Sequence, residues 1–469
     1  MAAASFLFLT ILAATTTTTY SIGNTSGISN GSCIPAERAA LLSFKTGITG
    51  DPENRLVSWK QDAHDCCRWS GVTCSRRTGH VVKLDLRSGY NFPNSEYFLS
   101  SLDDPQDYSL RGKVSSSLLA LRRLEYLDLS FNTLLGDAKA MPGFLGSLQS
   151  LTYLDLSNMG FRGRVPPQLG NLSKLAHLDI QSYSYIYSDD ISWLTRLHSL
   201  EHLDMSWINL SGVVDWLHMV NAIPNLVVLS LLSCGLNKSN APSSLVHHNL
   251  TLLEELHLSF NNFSGPAAPN WFWYVTSLRS LSLLDCQLSG TFPDELGNLT
   301  LLETFDIGGN NIQGMIPATL QNMCNLRSLV LTGNNIGADI SEVIDRIPNY
   351  SWNNFQRLSL ARANLTGTTL QFVSTLSSLN TLDVSFNLLS GSMPVEICAH
   401  TNMTYLDLGN NNLSGSVPVE IDMLTNLTHL DLGNIFAAFL NGGSISEARK
   451  MKKTVFDTIS TSSILNVSI

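Results

Sequence analysis

Aliphatic residues recur along most of this chain with a spacing that neither an isolated helix nor an isolated strand would give. Leu124-Glu-Tyr-Leu127-Asp-Leu129-Ser-Phe-Asn132, Leu326-Arg-Ser-Leu329-Val-Leu331-Thr-Gly-Asn334, Leu379-Asn-Thr-Leu382-Asp-Val384-Ser-Phe-Asn387 and Met403-Thr-Tyr-Leu406-Asp-Leu408-Gly-Asn-Asn411 are one phrase written four times. Counted from its first aliphatic residue as offset 0, apolar side chains fall at offsets 0, 3 and 5, and asparagine at offset 8. Copies begin at residues 81, 124, 151, 175, 200, 226, 253, 278, 302, 326, 355, 379, 403 and 427, mostly 24 to 27 residues apart. The alternation predicts a short strand in each copy, followed by a longer return segment. One such unit cannot bury its apolar edge alone, so the copies must stack into a single core. Fourteen strands at about 4.8 Å spacing make an arc about 65 Å long.

This is the wording of a leucine-rich repeat. The predicted fold is an α/β leucine-rich-repeat solenoid, with a curved parallel sheet on its concave face and irregular or 3-10 segments on its convex face. Asn132, Asn261, Asn310, Asn334, Asn387 and Asn411 at offset 8 are placed to satisfy backbone groups of the turn leaving the strand. Met159, Tyr183, Ile208, Cys234, Cys286 and Ala363 interrupt that column, so the middle of the array is expected to be less regular. Gly212, Gly265, Gly290, Gly314, Gly367, Gly391 and Gly415 at offset 12 permit a sharp backbone path.

Ahead of the first copy, residues 35–48 read as a short amphipathic helix starting at Pro35, with Leu41, Leu42, Phe44 and Ile48 on one side. Trp59 and Trp69 would close the apolar core, which has no neighbour on that side. Cys33, Cys66, Cys67 and Cys74 cluster here and read as a disulfide-stapled cap in an oxidising compartment. Of three connectivities, Cys33–Cys66 with Cys67–Cys74 is the expected one, because adjacent cysteines rarely pair with each other. Cys234 and Cys286 share one repeat position two copies apart, near 10 Å, too far to bridge. They are read as buried small hydrophobes.

Cys33, Glu37-Arg38, Ala40-Leu41-Leu42, Phe44-Lys45, Asp51-Pro52, Leu56, Ser58-Trp59 and Asp65-Cys66-Cys67-Arg68-Trp69-Ser-Gly-Val-Thr-Cys74 resemble the N-terminal cap of plant leucine-rich-repeat receptors. Leu288-Ser-Gly-Thr-Phe-Pro293 and Leu413-Ser-Gly-Ser-Val-Pro418 are similar to the plant-specific repeat class. The resemblance runs from residue 33 to about 434. It implies an extracellular horseshoe or superhelix that recognises a ligand and signals through partners.

Composition agrees with that setting. A net charge of -10 argues against nucleic acid, whose phosphates need a basic footprint. Phe6 to Ala14 is a nine-residue apolar run, too short to span a bilayer and suited to a signal peptide over residues 1–22. Asn-x-Ser/Thr occurs at Asn24, Asn30, Asn171, Asn209, Asn237, Asn249, Asn262, Asn298, Asn349, Asn364, Asn402, Asn412, Asn426 and Asn466. Fourteen such triplets indicate exposure to the glycosylation machinery, although Asn-Leu-Ser is partly repeat wording. The expected organisation is a leader over 1–22, a cap over 33–75, repeats over 81–434 with an insertion near 91–108, and a divergent tail over 435–469. That tail carries the basic run Arg449-Lys-Met-Lys-Lys453 and no apolar stretch of membrane-spanning length. Receptors of the resembled kind carry a span after the repeats, so a truncated product or a secreted form is expected.

Side chains at offsets 2, 4 and 7 should face out from the concave sheet. Offset 2 places Tyr126, Tyr153, His177 and His202 on neighbouring strands, a stripe suited to gripping a peptide or protein loop. Offset 7 adds Phe131, Trp207, Phe260 and Phe386, which also belong to repeat wording. Aspartate fills offset 4 at Asp85, Asp128, Asp155, Asp179, Asp204, Asp306, Asp383, Asp407 and Asp431, and His257 takes the same place in its copy. Regularly spaced carboxylates are repeat grammar rather than an acid–base pair, so no enzyme and no cofactor is expected. Like charges on neighbouring strands repel, and a basic ligand would relieve that. His177 and His202 beside Asp179 and Asp204 suggest a pH-sensitive contact rather than a metal site. Arg279, Arg327, Arg357 and Arg362 change the charge character of the later copies.

The expected function is the extracellular, ligand-recognising part of a plant receptor-like protein in defence or development. It would bind a peptide or protein ligand and act through receptor-like kinase co-receptors. Its place would be the secretory pathway, then the outer face of the plasma membrane or the apoplast. The alternative is a secreted inhibitor, similar to plant proteins that block microbial polygalacturonases, or a soluble decoy. Those are shorter arrays with a C-terminal disulfide cap.

Overall fold

A computed structural model describes residues 32–89, 108–135, 139–237, 249–267, 270–349, 352–368, 370–415, 417–433 and 466–468. The expected leader, the insertion near 91–108 up to residue 107, and the tail apart from 466–468 lie outside the described residues.

Each copy contributes its strand at offsets 2 to 4, and the strands join one 16-stranded sheet. Val72–Cys74 lies antiparallel to Val81–Asp85 at one edge. Parallel strands follow in chain order from Tyr126–Asp128 to His429–Asp431. Asn466–Ser468 pairs with His429–Asp431 and extends the sheet beyond the boundary suggested at residue 434. Pairing keeps register: His177, Leu178 and Asp179 face His202, Leu203 and Asp204. Because no parallel strand slips against its neighbour, every offset becomes a column running along the arc.

Leucines at offsets 0, 3 and 5 form the buried columns; Leu124, Leu127 and Leu129 have no exposed surface. Truncating one to alanine costs about 2–5 kcal/mol. The asparagine column holds the turns together. Nδ2 of Asn310 donates to Leu283 O, Ile307 O and Gly308 O at 2.8 Å each. Its Oδ1 accepts from Cys286 N at 3.1 Å and Leu288 N at 2.9 Å. Cys234 and Cys286 are free and buried, as expected, but they also stand in for that asparagine. Their Sγ atoms lie 3.2 Å from Met205 O and Leu258 O, carbonyls of the preceding copies.

The return segments are mostly 3-10 turns such as Pro167–Asn171 and Asp294–Asn298. A proline with fixed φ precedes or opens several, as Pro166 and Pro293 do. Short parallel pairs line one flank, which the repeat wording did not foretell. Gly163–Arg164 pairs with Ile186–Tyr187, and Gly265–Pro266, Leu288–Thr291 and Asn311–Gln313 pair in sequence. Glycines at offset 12 make this path possible: Gly391 has φ 89°, and a Cβ there would sit 2.1 Å from Thr368 O. Gly212 is the exception among the seven and is not left-handed.

At the N-terminal end, the helix Pro35–Thr46 buries Leu41 and Phe44. It ends before Ile48, which instead begins a strand antiparallel to Arg111–Gly112. Disulfides join Cys33 to Cys66 and Cys67 to Cys74. Trp59 stacks on Trp69 at 5.4 Å, and both are buried. Glu37, also buried, accepts from Val81 N at 2.7 Å and so ties the helix to the first strand. Arg55 donates to Leu86 O, Tyr108 O and Asn132 Oδ1, starting the asparagine column from the cap side.

Candidate ligand-recognition face

In-register pairing turns the offset-2 stripe into a continuous stack of rings. Tyr126 and Tyr153 lie 4.1 Å apart and 7° from parallel; Tyr153 and His177 are 4.1 Å and 5° apart. His177 and His202 follow at 4.1 Å and 18°. Lys83 closes the row at the cap end, with its ammonium 4.0 Å over the Tyr126 ring. Each stacked pair contributes roughly 0.5–1.5 kcal/mol beyond its buried area. Both faces of Tyr153 and His177 are covered by neighbours, so the row offers solvent its polar ring edges. Such edges suit hydrogen bonding to a peptide rather than flat stacking against a sugar ring. Rigid placement also lowers the ordering cost of binding. Lys83 was not foreseen, nor was the second stack of Tyr405 on His429 at 4.1 Å. Both stand at offset 2 and were visible as repeat positions.

The offset-4 carboxylates are less accessible than strand alternation predicts. Asp128 and Asp155 are buried, while Asp179 and Asp204 are half-buried. Each accepts from the backbone two residues on: Ser130 N to Asp128, Ser157 N to Asp155, Gln181 N to Asp179, Ser206 N to Asp204. The column therefore serves the turn first, which is why it recurs. Burial and the neighbouring Asp128 push the Asp155 carboxyl up to about 6. Burial, then Asp204 and Asp155, raise Asp179 well above the usual carboxylate range.

Those shifts correct the expectation for the imidazoles. Burial, together with His202, pushes His177 down to about 3, and burial lowers His202 as well. The raised carboxyls beside the stack are those of Asp155 and Asp179. His257 sits 3.6 Å from the Glu255 carboxylate, which it holds below the usual range.

Arg279 and Arg327 do not join the aromatic row. They stand at offset 1, where Glu254, Arg279, Glu303 and Arg327 form an alternating chain of ion pairs. Their charge is matched within the protein, because carboxylates occupy the same offset in intervening copies. Trp207 is 38% exposed and tilts against Tyr183 at 5.1 Å. Its backbone is left-handed, φ 66°, as are those of Phe131, Phe260 and Phe386. Glycine or asparagine takes that conformation in other copies (Gly309, Gly333, Asn410), whereas a bulky residue there costs about 1–2 kcal/mol. Trp207, Phe260 and Phe386 accept that strain while remaining substantially exposed.

The sequons respect the same face. In the repeats they fall at offset 9 (Asn209, Asn262, Asn364, Asn412), 11 (Asn237), 20 (Asn171, Asn298) and 23 (Asn249, Asn349, Asn402, Asn426). None falls between offsets 1 and 8. All are exposed except the half-buried Asn237.

Comparison with known proteins matches residues 34–75 to the leucine rich repeat N-terminal domain. Residues 150–172, 276–336 and 402–424 match leucine-rich-repeat family models. Receptor-like protein EIX1 of Solanum lycopersicum is 40% identical over 282 residues, 59% of this chain and 26% of that relative. Receptor-like protein 41 of Arabidopsis thaliana is 29% identical over 395 residues, 84% of this chain and 40% of the relative. The chain thus spans well under half the length of these relatives. Among solved structures, the Arabidopsis receptor kinase HAESA, in complex with the peptide hormone IDA and the co-receptor SERK1, superposes with a TM-score of 0.64. The sequences are 25% identical, and the match covers 85% of this chain and 70% of that one. The PEPR1–AtPEP1 structure gives 0.55 at 25% identity, covering 86% of this chain and 55% of that one.

Proposed function

Starting from a leucine-rich-repeat protein similar to the plant receptor-like proteins, we propose that this chain is an extracellular recognition module for a peptide or protein ligand. The ligand lies across the concave face and contacts the edges of the Tyr126–His202 stack, with Trp207 and His257 beside it. The observation carrying this reading is the stack itself, a pre-ordered polar rim on a face that no repeat sequon interrupts. The relatives support the setting: they are receptor-like proteins, and HAESA's structure holds a peptide hormone and a co-receptor. Signalling then passes through partner receptor kinases, with this chain acting at the outer face of the cell or in the apoplast.

The test is affinity capture from an apoplastic peptide extract and from solubilised plasma membrane, using the chain and its Tyr153→Ala/His202→Ala variant. Retention of a peptide and a receptor kinase by the chain but not by the variant is expected. Inhibition of a fungal polygalacturonase with neither captured would give the face to an enzyme inhibitor instead.

A further inference from the structure

A second surface, on the flank rather than the concave face, is built from three short neighbouring segments. Gly163–Arg164 pairs in parallel with Ile186–Tyr187, and Tyr187 pairs in turn with Asn209. Alternation along each segment sends Val165 and Ile186 into the core and leaves the residues beside them outside. The outer side therefore carries Arg162 and Arg164, then Tyr185 and Tyr187, then Asn209 and Ser211. Tyr185 is 83% and Tyr187 41% exposed, and Arg162 stands 5.8 Å over the Tyr185 ring. Two neighbouring tyrosines are thus held open to solvent on a paired, regular edge.

What adjoins them says what covers them. Asn209-Leu210-Ser211 is an acceptor triplet with Asn209 and Ser211 exposed and Leu210 buried, and its asparagine is the direct cross-strand partner of Tyr187, about 4.8 Å away by strand spacing. Paired residues project from the same side of a sheet, so anything attached to Asn209 Nδ2 starts beside the Tyr187 ring. We propose that Asn209 carries an N-linked glycan whose first sugars lie on Tyr187 and Tyr185. Asn209 Nδ2 attacks the anomeric carbon of a lipid-pyrophosphate-linked oligosaccharide. A C–N bond forms, the C–O bond to pyrophosphate breaks, and the amide proton leaves with the lipid pyrophosphate. The apolar faces of the sugar rings then meet the tyrosine faces, and Arg162 and Arg164 border them with donors for sugar hydroxyls. The glycan becomes part of the flank, covering surface that would otherwise invite association. This holds whatever the concave face binds.

The experiment uses the full chain secreted from plant cells. Glycopeptide mass spectrometry reads occupancy of Asn209, and tyrosine nitration followed by peptide mapping reads access to Tyr185 and Tyr187. Occupancy is expected, with slow nitration of both tyrosines. Nitration should rise about fivefold in Ser211→Ala, the shift that loss of a contact of roughly 1 kcal/mol produces. Asn262→Gln, which removes a sequon elsewhere, should leave the rate unchanged. An unglycosylated Asn209 overturns the proposal, as does equal nitration in the chain and in Ser211→Ala. Protection that persists in Ser211→Ala but falls on dilution would assign the platform to a second copy of the chain and also overturn it.

Discussion

Replacing Asp155 by asparagine removes one charge from the middle of the carboxylate column and keeps the turn intact. The amide that replaces the carboxylate retains an oxygen for Ser157 N and Ser157 Oγ, which lie 2.9 and 2.7 Å from Asp155 Oδ1 in the parent. The folded protein holds the Asp155 carboxyl at about 6, against 3.8 unperturbed, with burial as the larger cause and Asp128 as the second. A folded-state value raised above the unfolded one means that the native chain binds the extra proton. The stabilisation from that proton is complete below about pH 4 and is lost as pH rises through 6. A shift of that size corresponds to about 3 kcal/mol lost by pH 7. Asp155→Asn should therefore unfold at higher temperature than the parent at pH 7, by roughly 2–3 kcal/mol of stability, and at nearly the same temperature at pH 4. Scanning calorimetry of both proteins at the two pH values reads this. An equal shift at both, or a destabilised variant at pH 7, would refute the claim that burial, with Asp128 beside it, makes the ionised Asp155 carboxylate costly.

Three further outcomes follow from the columns. Asn310→Ala strands two buried amide groups and removes five hydrogen bonds, so urea unfolding should show a loss of roughly 3–5 kcal/mol. Asn310→Cys should lose markedly less, because a thiol already fills this position at Cys234 and Cys286; equal losses would mean that those thiols contribute no bond. His177, pushed down to about 3, should keep the chemical shifts of a neutral ring from pH 7 to about pH 4. An imidazole titration near pH 6 at that residue would show that the stack does not exclude water as described.

Most of the fold was legible because the repeat is a statement about burial. Aliphatic offsets gave the strand positions, and with them the columns. Adjacency of Cys66 and Cys67 removed one of the three cap pairings, and the folded cap selects Cys33–Cys66 with Cys67–Cys74 over the other that remained. What stayed hidden was set by neighbours rather than by the phrase. Alternation placed Asp128 and Asp155 in solvent, yet the rings in the adjacent column and the amide groups of the following turn enclose them. Arg279 and Arg327 read as a positive zone because each was taken with its own strand. Their matching carboxylates, Glu254 and Glu303, occupy the same offset in other copies. The stacking of Tyr126 through His202 was visible as spacing, but ring contact needs unslipped register, which only the assembled sheet supplies.

The most direct measurement of the recognition face is site-specific photocross-linking. A benzophenone residue is placed at Tyr153 on the concave stack and, in a second protein, at the exposed Gln168 on the convex turn. Each is irradiated with the peptide recovered by affinity capture. Cross-linking from position 153 and not from 168 is the predicted result; cross-linking from 168 alone would place recognition on the outer surface and contradict the account.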